Sequence, residues 1–191
     1  ATYYGGGMCV FTYCDPVITT CILSENNAIY GGGMYLEYLS DPVLSQNNLI
    51  GNNAVQGGGI YMYHSNPVIT NSTLSGNTAN VGGGMSVENS NPVLTNTTLS
   101  GNTAQGGGGI YVYYSNPVIT NCILWGNAAS IMNGIYNYGM SAPDITYSNI
   151  QDGFTGTGNI SLDPLFMDAP NGDFRLQPSS PCINAGTPDT T

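Results

Sequence analysis

Triplets of glycine begin at residues 5, 31, 57, 82 and 107, so that one short signature returns after 26, 26, 25 and 25 residues. A second marker keeps the same step: Pro16, Pro42, Pro67, Pro92, Pro117 and Pro143 are spaced 26, 25, 25, 25 and 26 apart. Two independent markers in one phase define a repeat, best preserved in the stretches Gly57 to Ala79, Gly82 to Ala104 and Gly107 to Ala129. A unit of that length cannot bury an apolar face by itself, so its copies must stack into a solenoid.

The composition of the unit decides which solenoid. Gly, Pro and β-branched residues disfavour helices, and neither the leucine-rich spacing nor the Asp-bearing nonapeptide of calcium solenoids is present. What remains is a coil of short strands, each paired in parallel with its copy about 4.8 Å above. Like residues then fall into columns. Alternation after each glycine triplet turns Met8, Met34, Ile60, Met85, Ile110 and Ile135 inward, beside Val10, Leu36, Met62, Val87 and Val112. Ile18, Leu44, Ile69, Leu94, Ile119 and Ile145 form a second inward column, and Leu23, Leu49, Leu74, Leu99, Leu124 and Ile150 a third. Three apolar columns predict an all-β chain: a right-handed parallel β-helix, three-sided, of about six coils of 25–26 residues, with an irregular C-terminal extension.

Corner residues fit this arrangement. Asn26, Asn52, Asn77, Asn102 and Asn127 predict an asparagine ladder, since stacked amides satisfy one another and the turn backbone. Asp15, Asp41, Asn66, Asn91, Asn116 and Asp144 mark the proline corner, where short polar side chains are expected to bond their own turns. Thr19, Ser45, Thr70, Thr95 and Thr120 make an outward column that the strand propensity of Thr explains. Cys21 and Cys122 share a column four coils apart and cannot bridge each other. Pairing of Cys122 with Cys182, or of two among Cys9, Cys14 and Cys21, stays open.

Charge narrows the partners. Eleven acidic residues face one basic residue, Arg175, giving a net charge of −10. Binding to nucleic acid or to anionic lipid needs Lys and Arg, so both are excluded. No apolar run is long enough to insert into a membrane, and Ala1 does not open a signal peptide. One histidine and no CxxC leave no zinc site, and no metal or other cofactor is assigned; Asp15 and Asp41 are the pair best placed to bridge a calcium ion.

No catalytic residue is assigned either. Glu37 and Glu88 occupy one outward column two coils apart, about 9.6 Å, at the upper limit for an inverting glycosidase pair, with Tyr63 between them. His64 precedes a turn, and Arg175 is expected to pair with Asp173. The outward face that draws attention is aromatic. Tyr35, Tyr61, Tyr111 and Tyr136 fill one column, and Phe11, Tyr63, Tyr113 and Tyr138 the next, as a face for binding or assembly.

After Asn133 the repeat decays, and the stretches Gly158 to Phe166 (GNISLDPLF) and Gly172 to Gly186 (GDFRLQPSSPCINAG) have their own character. With the repeat units, this tail resembles secreted bacterial right-handed β-helix proteins of the choice-of-anchor Q type, and more distantly polymorphic outer-membrane protein repeats. The resemblance implies export and attachment at the cell surface by a signal beyond this segment, and it carries over no catalytic residue. The chain is read as one domain: coils over 1–157, and a tail over 158–191 that packs on or caps the last coil. The sequence starts inside a coil, as in a fragment of a longer protein or a coil covered by a neighbouring subunit. The expected function is a non-enzymatic extracellular structural or adhesive protein, self-associating into filaments through coil ends and tyrosine faces. The alternative is a β-helix that binds or cleaves polysaccharide.

Overall fold

A computed structural model describes residues 2–188. The chain winds through six coils whose strands build three six-stranded parallel sheets. The first face stacks Met8–Phe11, Met34–Glu37, Ile60–Tyr63, Met85–Glu88, Ile110–Tyr113 and Ile135–Tyr138. The second stacks Val17–Thr19, Val43–Ser45, Val68–Thr70, Val93–Thr95, Val118–Thr120 and Asp144–Thr146, and the third runs from Ile22–Ser24 to Asn149–Ile150. Register follows the repeat: Met34 pairs with Ile60 and Ile60 with Met85, while Leu49 pairs with Leu74 and Leu74 with Leu99. The inward columns close into one core, with Met34, Leu36, Ile60, Met62, Leu74, Met85 and Leu99 fully buried. Each such side chain contributes roughly 1.5–3 kcal/mol through its removal from water.

Left-handed residues make the corners. Thr20, Gln46, Asn71, Asn96 and Asn121 turn the chain between the second and third faces, and Glu25, Gly51, Gly76, Gly101 and Gly126 turn it after the third. The corner after the first face has variable length. His64, Asn89 and Tyr114 make it with one left-handed residue, whereas Thr12–Tyr13 and Tyr38–Leu39 use two in succession. That extra residue is the difference between a 26-residue coil and a 25-residue one.

One expectation needs extending. Besides the three faces, each coil has a short fourth side, built by Thr2–Tyr4 with Ala28–Tyr30, by Thr103–Gly106 with Ala128–Ile131, and between them by single bridges such as Asn53 to Thr78 and Val81 to Gly106. Its inward column is alanine: Ala28, Ala54, Ala79 and Ala104 are buried where the coil is too narrow for a larger side chain. The glycine triplet is the corner that leaves this side. Gly82 takes φ +64°, and a Cβ at Gly83 would meet the backbone of the next coil, 2.6 Å from the Gly108 oxygen and 2.7 Å from that of Thr103. In the last coil Met132 and Asn133 stand where earlier coils have the first two glycines.

Polar ladders brace the corners. Asn52 Nδ2 donates to Asn77 Oδ1 at 3.0 Å, and Asn77 Nδ2 donates to Asn102 Oδ1 at 2.9 Å and to the Leu49 carbonyl at 3.0 Å. Gln151 Oε1 accepts from the Asn127 amide in the place a further asparagine would take. Asp15, Asp41, Asn66, Asn91 and Asn116 bond across coils and not to their own turns as expected, the Asp41 amide donating to Asp15 Oδ1 and the Asn66 amide to Asp41 Oδ1, while Asp144 lies beyond the corner, paired in register with Val118. An adjacent buried serine column went unread in the sequence: the Ser65 amide donates to Ser90 Oγ, and the Ser90 amide to Ser115 Oγ. Among the described residues, every buried side-chain nitrogen and oxygen has a partner.

The tail first lays a further rung on the sixth coil, with the Ile150 amide donating to the Ile160 carbonyl and the Ile160 amide to the Ser148 carbonyl. It then folds back along the third face as an antiparallel pair, Phe166–Asp168 with Asp173–Leu176. Asn121 fastens its end through reciprocal bonds with Thr187. Arg175 forms the expected pair with Asp173, donating from Nε at 2.8 Å and from Nη2 at 2.6 Å. This ion pair is exposed and adds little to stability. No helix among the described residues is long and apolar enough to cross a membrane.

Candidate functional site

Parallel register brings the outward residues of the first face into two columns. Tyr35 pairs with Tyr61, Tyr61 with Ser86, Ser86 with Tyr111 and Tyr111 with Tyr136, while Phe11, Glu37, Tyr63, Glu88, Tyr113 and Tyr138 follow one another beside them. Ser86 interrupts the aromatic column, and Glu88 bends into the space it leaves. The Tyr61 hydroxyl donates to Glu88 Oε2 at 3.0 Å and the Ser86 hydroxyl to Glu88 Oε1 at 3.4 Å. The face is thereby divided in two. Tyr111, Tyr113, Tyr136 and Tyr138 form one ring cluster, with Tyr113 stacked on Tyr138 at 5.8 Å.

The other half is a cleft of about 300 Å³ lined by Tyr3, Tyr4, Tyr30, Tyr35, Tyr61, Tyr63, Glu37, Glu88 and Gln56. Here the structure corrects the expectation of an open tyrosine surface. Tyr35 and Tyr61 are only 3% and 6% exposed, so they cannot offer broad contact area. Tyr4 and Tyr30 cover them from the fourth side, with ring centroids 4.6 Å from Tyr35 and 5.1 Å from Tyr61, and Tyr35 and Tyr61 stack on each other at 5.5 Å. Phe11 and Tyr138 are exposed, and Tyr63, Tyr111, Tyr113 and Tyr136 half-buried.

Tyr3, Tyr4, Tyr30 and Gln56 were missed in the sequence. A signal for two of them exists, because Tyr4 and Tyr30 each stand immediately before a glycine triplet, 26 residues apart. The left-handed glycine corner folds that position back beside the aromatic column of the next coil.

Burial and neighbouring carboxylates tune the cleft. Desolvation, and then Glu88, push the Tyr61 hydroxyl well above the ordinary phenol range; desolvation, and then Glu37, do the same to Tyr35. Tyr111 is pushed up to about 12, mainly by desolvation. Desolvation also raises the Glu88 carboxyl above its ordinary 4.5, although its bonds from Tyr61 and Ser86 pull the other way. A carboxyl with a raised folded pKa binds its proton more tightly folded than unfolded, so its contribution to stability is present below 4.5 and is lost as pH rises through the folded value. Glu88→Gln keeps an acceptor for Tyr61 and removes that titration. The expected result, from thermal melts followed by circular dichroism, is a melting temperature at pH 7 equal to or above that of the unsubstituted chain and a flatter profile between pH 4.5 and 7; a larger deficit at pH 7 than at pH 4 would refute it.

Other residues weighed in the sequence lie apart from this cleft. His64 is exposed at the corner after the first face and packs edge-on against Tyr63, 4.3 Å between centroids. Asp15 and Asp41 are engaged in the outer ladder, and among the described residues no group of three or more His, Cys, Asp and Glu is arranged to hold a metal ion. All five cysteines are free thiols; Cys122 is buried and pushed up to about 12 by desolvation, and it lines a cavity with Cys182 under the tail.

A comparison with protein families matches the right handed beta helix region over residues 2–114 and again over 54–159. Searches of curated proteins and of solved structures gave no match. The two matched stretches together span the six coils, whose parallel ladders and stacked interior columns are described above, and on this ground the chain belongs to the right-handed parallel β-helix family.

Proposed function

We propose that this chain is a non-enzymatic extracellular adhesive protein that binds carbohydrate in the cleft between its first and fourth sides. The observation that carries the reading is the cleft's lining of six tyrosines and two glutamates. Tyrosine offers a rigid apolar face for the ring of a sugar and a hydroxyl for its polar rim, and carboxylates accept from sugar hydroxyls. Binding is favoured over cleavage because both Glu88 oxygens are already engaged, and because Glu37 and Glu88 stand two rungs apart, about 9.6 Å, at the edge of the range for paired-carboxylate hydrolysis. Extracellular placement draws its support from the tail's likeness to secreted surface proteins and from a surface wetted by Asn, Ser, Thr and Tyr in place of charge.

Titration with immobilised glycans tests the proposal. Tyr63→Ala, at a half-buried position outside the core, is expected to weaken binding by about tenfold or more while leaving the melting temperature within a few degrees. Absence of binding to any glycan, or unchanged binding by Tyr63→Ala, defeats it. Self-association is the accompanying proposal. It is favoured by exposed apolar side chains on the last coil, where Ile131, Met132, Tyr138 and Met140 are 51–85% exposed. A single monomeric species at all concentrations in sedimentation velocity would count against it.

A further inference from the structure

Among the described residues, nothing lining the cleft can neutralise its carboxylates. Glu37 and Glu88 are its acidic side chains, and no Lys, Arg or His accompanies them. The single base of the chain, Arg175, is held by Asp173 in the tail. Glu88 is half-buried, and both its oxygens accept only from neutral hydroxyls, those of Tyr61 and Ser86. A carboxylate withdrawn from water without a cation is a costly arrangement that a cationic ligand relieves. The rings act in the same direction, because the negative face of an aromatic ring attracts an ammonium group.

Spacing points to a polymer. Glu37 pairs in register with Tyr63, and Tyr63 with Glu88, so the two glutamates occupy one column along the solenoid axis, their backbones about 9.6 Å apart with an aromatic residue between them, and the Glu88 carboxylate leans toward Tyr61 and Ser86 in the neighbouring column. Such a column suits a chain of rings that carries the same charged group at intervals better than it suits one small cation. An acidic polysaccharide would meet both carboxylates and the field of a chain with net charge −10.

From these features we infer that the cleft selects an amine-bearing glycan, its sugar rings packed on Tyr63 and Tyr4 and its protonated amino groups paired with Glu88 and Glu37. This rests on the carbohydrate reading above and names its ligand class. The full chain is titrated calorimetrically at pH 6 with a β-1,4-linked glucosamine hexamer, the N-acetylated hexamer, a galacturonate hexamer and polylysine. The glucosamine hexamer is expected to bind about tenfold or more tightly than its acetylated counterpart, with no binding of the uronate. Glu88→Gln should reduce that preference about tenfold. Should the variant fail to fold, the unsubstituted chain supplies the second readout: affinity for the glucosamine hexamer must fall with added salt and as pH rises through deprotonation of the amines.

Equal or tighter binding of the acetylated hexamer overturns the inference while leaving the carbohydrate reading intact. Tighter binding of the uronate has the same result. Polylysine binding as tightly as the glucosamine hexamer overturns it too, since charge alone would then be read. No binding of any glycan removes both readings together.

Discussion

Gly83→Ala is expected to abolish the cooperative unfolding transition, or to lower the stability of whatever still folds by more than about 3 kcal/mol. The added methyl carbon has no side chain to push aside. It would stand 2.6 Å from the Gly108 oxygen, 2.7 Å from the Thr103 oxygen and 2.8 Å from the Thr103 nitrogen, all backbone atoms held by the neighbouring coil. The rise between coils is fixed by ladder hydrogen bonds on three sides, so the clash cannot be relieved locally. Gly76→Ala is the informative contrast. Gly76 has φ +64°, yet the nearest atom to an added Cβ is 3.9 Å away, so its cost is the backbone term alone, roughly 1–2 kcal/mol. Urea denaturation of the two variants separates shortage of space from shortage of conformational freedom; comparable losses would contradict the assignment.

The second large effect is expected at Asn77. Its Oδ1 accepts from the backbone amide and the side chain of Asn52, and its Nδ2 donates to the Leu49 carbonyl and to Asn102 Oδ1. Asn77→Ala leaves the buried Asn52 amide without its acceptor and removes the side-chain bonds to Leu49 and Asn102, so a loss of roughly 1–3 kcal/mol should appear in equilibrium unfolding. Asn26 stands at the margin of the ladder, is only partly buried, and passes its bonds in one direction, to Asn52. Asn26→Ala should therefore cost less than half as much, and a uniform cost along the column would mean that the ladder does not act as described.

Much of this was legible in the sequence because of how a parallel register works. Once residues one period apart are vertical neighbours, the interior placement of Met34, Ile60 and Met85 follows from alternation alone, and so does the asparagine column. What escaped reading depends on the corners. The fourth side has no shared apolar pattern beyond its alanines, because its strands are short and mostly single bridges. The burial of Tyr35 and Tyr61 depends on Tyr4 and Tyr30 reaching round a left-handed turn, which no periodicity reports. The proline-corner residues looked like local caps because Asp and Asn commonly bond their own turns; here each next coil brings a backbone amide closer than the turn does. Glu37 and Glu88 were readable as a pair, but Ser86, whose small side chain lets Glu88 fold inward, was not.

The decay of the repeat after the fifth triplet has a related cause. Asn133 occupies the position of Gly83 and Gly108, but no full coil lies above it, so the demand for an absent side chain ends with the stack.

The variable corner after the first face has an evolutionary consequence. Thr12–Tyr13 and Tyr38–Leu39 each place an additional residue there, yet the columns above and below keep their alignment. Growth in chain length at this point leaves the molecule's pitch untouched. The rod thus has a rim where new segments can accumulate and diversify, coil by coil, while the spine that carries them stays the same.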